Sequence, residues 1–128
     1  MGKPYLIDSN AVIDYLMGKL PPSGTTFMDK LVNDIPNVSI ITKIEVLGFP
    51  SSPSTEKLLT AFFDDAVVLG LSDRVAEKVI ELRKSNKIKL PDAVIASTAM
   101  VHDMDLVTRN TTDFDKISGL VCINPHAV

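Results

Sequence analysis

Short apolar runs alternate with longer segments of helical periodicity along almost the whole chain, and that alternation restricts the fold more than any other feature. Apolar strands are expected at residues 5–7, 38–41, 66–69, 106–108 and 120–123. Between them lie helical segments: 9–16, with Ser9 as a cap and Val12, Leu16 and Met17 on one face; one opening at Thr25 or Thr26 after the break at 18–24 and running to about Asn33; and one from Thr42. Three more are expected from Ser54, from Ser72 to about Lys84, and at 90–101. Strands separated throughout by helices connect in parallel through right-handed crossovers, which predicts a three-layer α/β/α sandwich with a mainly parallel central sheet. With 128 residues there is room for one such domain, residues 1–128.

Carboxylates recur at the handovers in this pattern. Asp8, Glu45, Asp92 and Asp113 each stand where a strand or loop meets a helix. In an open parallel sheet the carboxyl ends of the strands share one edge, so residues distant in sequence can converge there on a single crevice. Four converging anions repel one another, and a divalent cation is what makes such a cluster tolerable. Carboxylate oxygens are hard donors suited to Mg²⁺ or Mn²⁺. Zinc sites usually include His or Cys, and the chain offers only His102, His126 and Cys122. The histidines read as a helix end and a polar tail, and Cys122 as a small apolar residue in a strand. Two of the acids also have structural readings. Thr42-Lys43-Ile44-Glu45 is a capping-box pattern, and Asp92 suits a helix N-terminus.

Composition narrows the class. Hydrophobic residues make up 45% and charged residues 23%, and no apolar run reaches the ~20 residues of a membrane helix. Asp8 interrupts the first apolar stretch too early for a secretory signal, so a cytoplasmic protein is expected. The net charge of −3 does not by itself suggest nucleic acid; if the substrate is one, metal ions and a local basic strip must offset the repulsion. Lys84, Lys87 and Lys89 form the densest strip, readable also as a solvated helix end. Asp14 is expected to be an exposed surface acid. Arg109 suits either a phosphate contact or an ion pair, and Phe62 and Phe63 either core or a dimer face.

Four segments together resemble the PIN domain family. These are Asp8-Ser9-Asn10, Thr42-Lys43-Ile44-Glu45-Val46-Leu47, Lys89-Leu90-Pro91-Asp92-Ala93-Val94-Ile95-Ala96, and Thr108-Arg109-Asn110-Thr111-Thr112-Asp113-Phe114. More narrowly, they are similar to the VapC-type ribonuclease toxins, over the full length and in the expected order. The resemblance implies a metal-dependent endoribonuclease with Asp8, Glu45 and Asp92 as the three central acids and Asp113 as a more variable fourth, holding Mg²⁺ or Mn²⁺. Asn10, Thr108 and Asn110 match polar positions that orient a ligand or water. It also implies an RNA substrate, a cognate antitoxin and a homodimer. Two other classes fit parts of the pattern: a PIN-like interaction module without chemistry, and a haloacid dehalogenase-type phosphotransfer enzyme, whose second Asp is required where Asn10 stands.

Overall fold

Tyr5–Ile7 forms β1, and its alternation sets the layers of the molecule. Leu6 points to one side of the sheet and Ile7 to the other, and both are almost fully buried. The computed structural model describes residues 2–128. After β1 come α1 (Ser9–Leu16), α2 (Pro22–Asn33), β2 (Asn37–Ser39), α3 (Ile40–Leu47), α4 (Pro53–Asp65) and β3 (Val67–Leu69). The chain continues through α5 (Asp73–Ser85), α6 (Leu90–Val101), β4 (Asp105–Val107), α7 (Thr111–Phe114) and β5 (Cys122–Ile123).

All four strand pairings are parallel, in the order β3-β2-β1-β4-β5. The chain builds outward from β1 on one side and then crosses to place β4 on the other, so a topological switch lies between β1 and β4. Ile7, Val38 and Val107 pack with Ala11, Val12, Met28, Leu59 and the two phenylalanines of α4. On the opposite face Leu6 and Leu106 meet Leu82, Ile95, Ala99 and Phe114. The result is the expected three-layer sandwich. Helix α6 is buried without interruption from Ala93 to Ala99, as its apolar sequence on every side requires.

Several boundaries differ from the sequence expectation, each for a local reason. Ile40 and Ile41 are β-branched, yet they belong to α3, because Ser39 ends the strand and its hydroxyl accepts from the Ile41 N–H at 3.1 Å. Asp8, not Ser9, is the cap of α1, and Ser52, not Ser54, caps α4. Ser72 caps α5 as expected. Helix α2 begins at Pro22, since proline is tolerated in a first turn that lacks N–H partners anyway. The polar segment before Phe114 winds into α7. Ile80 of α5, although apolar, is 57% exposed. Phe62 and Phe63 are both buried, ring edge to ring face at 5.2 Å, so they serve the core and offer no dimer face. Cys122 is half-buried, and burial, reinforced by Asp115, Asp8 and Asp105, pushes its thiol up to about 11.

Gly24 explains a glycine inside α2. It is buried, and a Cβ there would overlap the carbonyl oxygen of Pro125 in the C-terminal segment. Alanine would ordinarily stabilise a helix interior by about 1 kcal/mol relative to glycine. Gly24→Ala is therefore expected to reverse that sign and destabilise by about 1–3 kcal/mol through overpacking. Thermal unfolding measures it; a melting temperature at or above wild type would mean that the C-terminal segment does not sit on α2.

Candidate active site

Asp8 leaves β1 with extended backbone and becomes the cap of α1, which turns its carboxylate across the end of the sheet. The register of β1 with β4 brings Thr108 beside it, since Ile7 is paired with Val107 and the Asp8 N–H donates to the Val107 carbonyl at 2.9 Å. Three donors then orient the acid. The Ser9 N–H donates to Oδ1 at 2.7 Å, while Oδ2 accepts from the Thr108 hydroxyl at 2.8 Å and from Asn10 Nδ2 at 3.2 Å. Only 5% of Asp8 is exposed. Burial pushes its carboxyl upward, and the repulsion of Asp92 and Glu45 adds to this, against the lowering effect of the Thr108 and Ser9 hydrogen bonds.

Glu45 reaches the same edge from α3. Its Oε1 accepts from the Ser9 hydroxyl at 2.8 Å, and the same hydroxyl lies 3.2 Å from Thr42 Oγ1. The capping-box reading fails because Ser39 is the cap, leaving Glu45 in the second turn and out of reach of the first N–H groups. Asp92 stands in the first turn of α6 and is not its cap; Lys89 occupies that position without a side-chain cap bond. Asp92 is also pushed above the ordinary 3.8, first by burial and then by Asp113 and Glu45, with Lys89 opposing. Asp113, on α7, shares with Asp92 the lining of a 180 Å³ cavity that also includes Lys87, Lys89 and Lys116.

The four acids are thus linked by mutual repulsion: Asp8 to Glu45 and Asp92, and Asp92 to Glu45 and Asp113. They are not closed into a cage. Among the described residues no three His, Cys, Asp or Glu side chains stand in a ready ligand cluster. The donor set nevertheless suits a hard divalent cation, because every acid is an oxygen donor and two of them are raised by burial and like charge, strain that a cation would relieve.

Of the expected polar partners, Asn10 and Thr108 are in direct contact with Asp8 and with each other. Asn110 contributes its backbone instead: its N–H donates to Thr108 Oγ1 at 3.1 Å, and its side chain does not cap α7. Ser9 was not anticipated as the bridge between Asp8 and Glu45. Asp14 corrects the sequence reading more sharply. It is 3% exposed, not a surface acid, and its carboxylate accepts from Arg109 at 3.0 and 3.2 Å and lies 2.8 Å from His126 Nε2. The apolar periodicity of α1 gave no sign of this, because the partners lie 95 and 112 positions away. Arg109 is thereby an ion-pair residue.

The PIN domain profile matches residues 5–120. No curated protein matches the chain. Among solved structures, a toxin-antitoxin complex from Klebsiella pneumoniae is 30% identical, with a TM-score of 0.74 over 97% of this chain and 99% of that one. DNA-bound VapBC from Salmonella typhimurium is 24% identical, with a TM-score of 0.76 over 97% and 99% of the two chains. VapBC2 from Rickettsia felis, bound to a DNA fragment from its promoter, has a TM-score of 0.80 at 22% identity over 94% and 97%. The profile spans nearly all of the strand, helix and acidic positions described above, and the chain belongs to the PIN domain family.

Proposed function

We infer that this PIN domain protein is an endoribonuclease of the VapC type, the toxin of a toxin-antitoxin pair, and that Asp8, Glu45, Asp92 and Asp113 form its Mg²⁺ or Mn²⁺ site. One observation carries the reading: carboxylates from four separate elements repel one another at the topological switch of a parallel sheet. A structural role would not need that arrangement, which leaves Asp8 and Asp92 raised by burial and like charge. All four acidic positions are filled, which disfavours a module without chemistry, and Asn10 stands where a phosphotransfer enzyme would need its second Asp.

When bound, a divalent ion supplies Lewis acidity toward a phosphodiester oxygen and lowers the pKa of its water. The chain's own groups do the rest. Asp8 is held in one orientation by Ser9, Asn10 and Thr108, while Ser9 fixes Glu45 from across the crevice. Lys87, Lys89 and Lys116 stand beside Asp92 and Asp113, where they oppose the repulsion between an acidic site and RNA phosphates. The Lys116 ammonium donates to the Lys87 carbonyl at 2.7 Å and so ties α7's flank to the loop before α6. Lys84 of the sequence strip is not part of this lining.

The Klebsiella pneumoniae relative was solved as a toxin-antitoxin complex, and a cognate antitoxin is accordingly the expected protein partner here. Self-association would use the apolar groove of 330 Å³ lined by Ile41, Leu71, Val79, Ile80, Leu90 and Val94, where Leu71, Ile80 and Leu90 are each more than half exposed. Among the described residues no helix is long and apolar enough to cross a membrane. A cytoplasmic location goes with this reading of the substrate.

Purified protein should cleave RNA with Mg²⁺ or Mn²⁺ and stop on addition of EDTA. Asp8→Asn and Asp92→Asn should each reduce cleavage by more than the roughly tenfold to hundredfold typical of losing a ligand's supporting partner, with circular dichroism unchanged. Full activity in both folded variants would refute the assignment.

The raised carboxyl of Asp92 gives a stability test. A group whose folded pKa lies above its unfolded value binds more protons in the native state, so stability falls as pH rises through and above 3.8. In EDTA at pH 7, Asp92→Asn should therefore raise the melting temperature, by an amount that partial exposure of the group keeps small. The gain should vanish below pH 3.8, where wild-type Asp92 is also protonated. Added Mn²⁺ should stabilise wild type more than the variant.

Replacing Lys87 and Lys116 by Gln should weaken RNA binding and flatten its salt dependence by about 0.7 in logarithmic slope for each phosphate no longer neutralised. An unchanged slope in a filter-binding titration would remove these lysines from the RNA path.

A further inference from the structure

The network around Asp14 is not used by the chemistry above, yet its carboxylate is buried as fully as that of Asp8. Asp14 lies on α1 with its side chain 4% exposed, held between Arg109, 51% exposed, and His126, 30% exposed. A carboxylate buried to that degree requires charged or hydrogen-bonded partners, and these two come from the loop after β4 and from the C-terminal segment. His126 is itself ordered by its neighbours: its N–H donates to Asn124 Oδ1 at 2.9 Å, and Pro125 rests against Gly24 of α2.

Arg109 is where this network meets the candidate site. Its side chain is committed to Asp14, while its backbone N–H donates to Asn10 Oδ1 at 2.9 Å. Asn10 then donates through Nδ2 to Asp8 Oδ2 and to Thr108 Oγ1. The Asn10 amide can only face Asp8 with its NH₂ end because its oxygen is occupied by the Arg109 N–H. An unbroken chain of contacts therefore runs from His126 through Asp14, Arg109 and Asn10 to Asp8.

We propose that Asp14, Arg109 and His126 form a clip by which the C-terminal segment positions the Asp8 carboxylate for divalent-metal binding and RNA cleavage, with Arg109 and His126 as positioning residues. This rests on the ribonuclease reading of the same site. The clip acts on the geometry of Asp8, so its removal changes metal affinity and the chemical step and leaves RNA binding alone. Partners that orient a metal ligand typically account for a tenfold to hundredfold effect.

The test compares full-length wild type with Arg109→Ala, Arg109→Lys and His126→Ala. Mn²⁺ binding is read from the electron paramagnetic resonance of the free ion, RNA cleavage by steady-state kinetics, and the Asn10 side-chain amide by ¹⁵N NMR. Arg109→Ala is expected to weaken Mn²⁺ binding and lower kcat by about tenfold each, with KM unchanged. Arg109→Lys, which keeps a cation at Asp14, should recover most of the activity. His126→Ala, which leaves Arg109 paired with Asp14, should lower both in the same direction and shift the Asn10 resonance. Wild-type Mn²⁺ affinity with an unmoved Asn10 resonance in folded His126→Ala would overturn the clip. So would a raised KM at constant kcat in Arg109→Ala, which would make Arg109 an RNA contact. If wild type binds Mn²⁺ but cleaves no RNA, the ribonuclease reading falls while the Mn²⁺ and NMR comparisons still decide the clip. A wild type that binds no Mn²⁺ overturns both.

Discussion

The parallel pairing of β1 with β4 places Asp8 and Thr108 at the ends of neighbouring strands, and the rest of the site hangs on that register. Leu6 and its partner Leu106 both enter one layer of the sandwich, and Ile7 and its partner Val107 both enter the other. A slip of one residue would exchange the two buried faces and carry Thr108 away from Asp8. The hydrophobic pattern that stabilises the sheet is thus the same constraint that aligns the acid with its hydroxyl donor. Because this pair straddles the switch point, the adjoining crevice is open to α3 and α6, which deliver Glu45 and Asp92.

Which parts were legible in the sequence follows from the range of the interactions concerned. The layers could be read from apolar periodicity, since an alternating strand such as Tyr5-Leu6-Ile7 and an all-round apolar helix such as α6 carry their burial in local sequence. Boundaries were harder. At Ile40 and Ile41 strand propensity competed with a single serine cap, and the cap prevailed because it satisfies a backbone N–H that the helix start otherwise leaves open. The Glu45 ambiguity turned on that boundary: moving the helix start from Thr42 to Ile40 removes the capping box and frees the carboxylate to meet Ser9. Asp8 and Asp92 stood out because one follows a strand and the other opens a helix. Asp14 did not, since its helix position looks like any solvated face until two partners from distant segments cover it.

The charge distribution makes sense of a nuclease fold on a chain of net charge −3. Negative groups in the crevice are arranged against one another, with Asp8 and Asp92 both raised, whereas the three lysines near Asp113 remain on its rim. A basic surface overall would favour RNA binding anywhere; a short cationic rim beside an anionic crevice favours only a strand whose phosphate spans the two. Arg109 would be an obvious addition to the rim from its place between Thr108 and Asn110. Its guanidinium is instead paired with buried Asp14, while its backbone N–H donates to Asn10, an arrangement that fits the proposed role of this arginine in orienting an acid, with the attraction of phosphate assigned to the lysines.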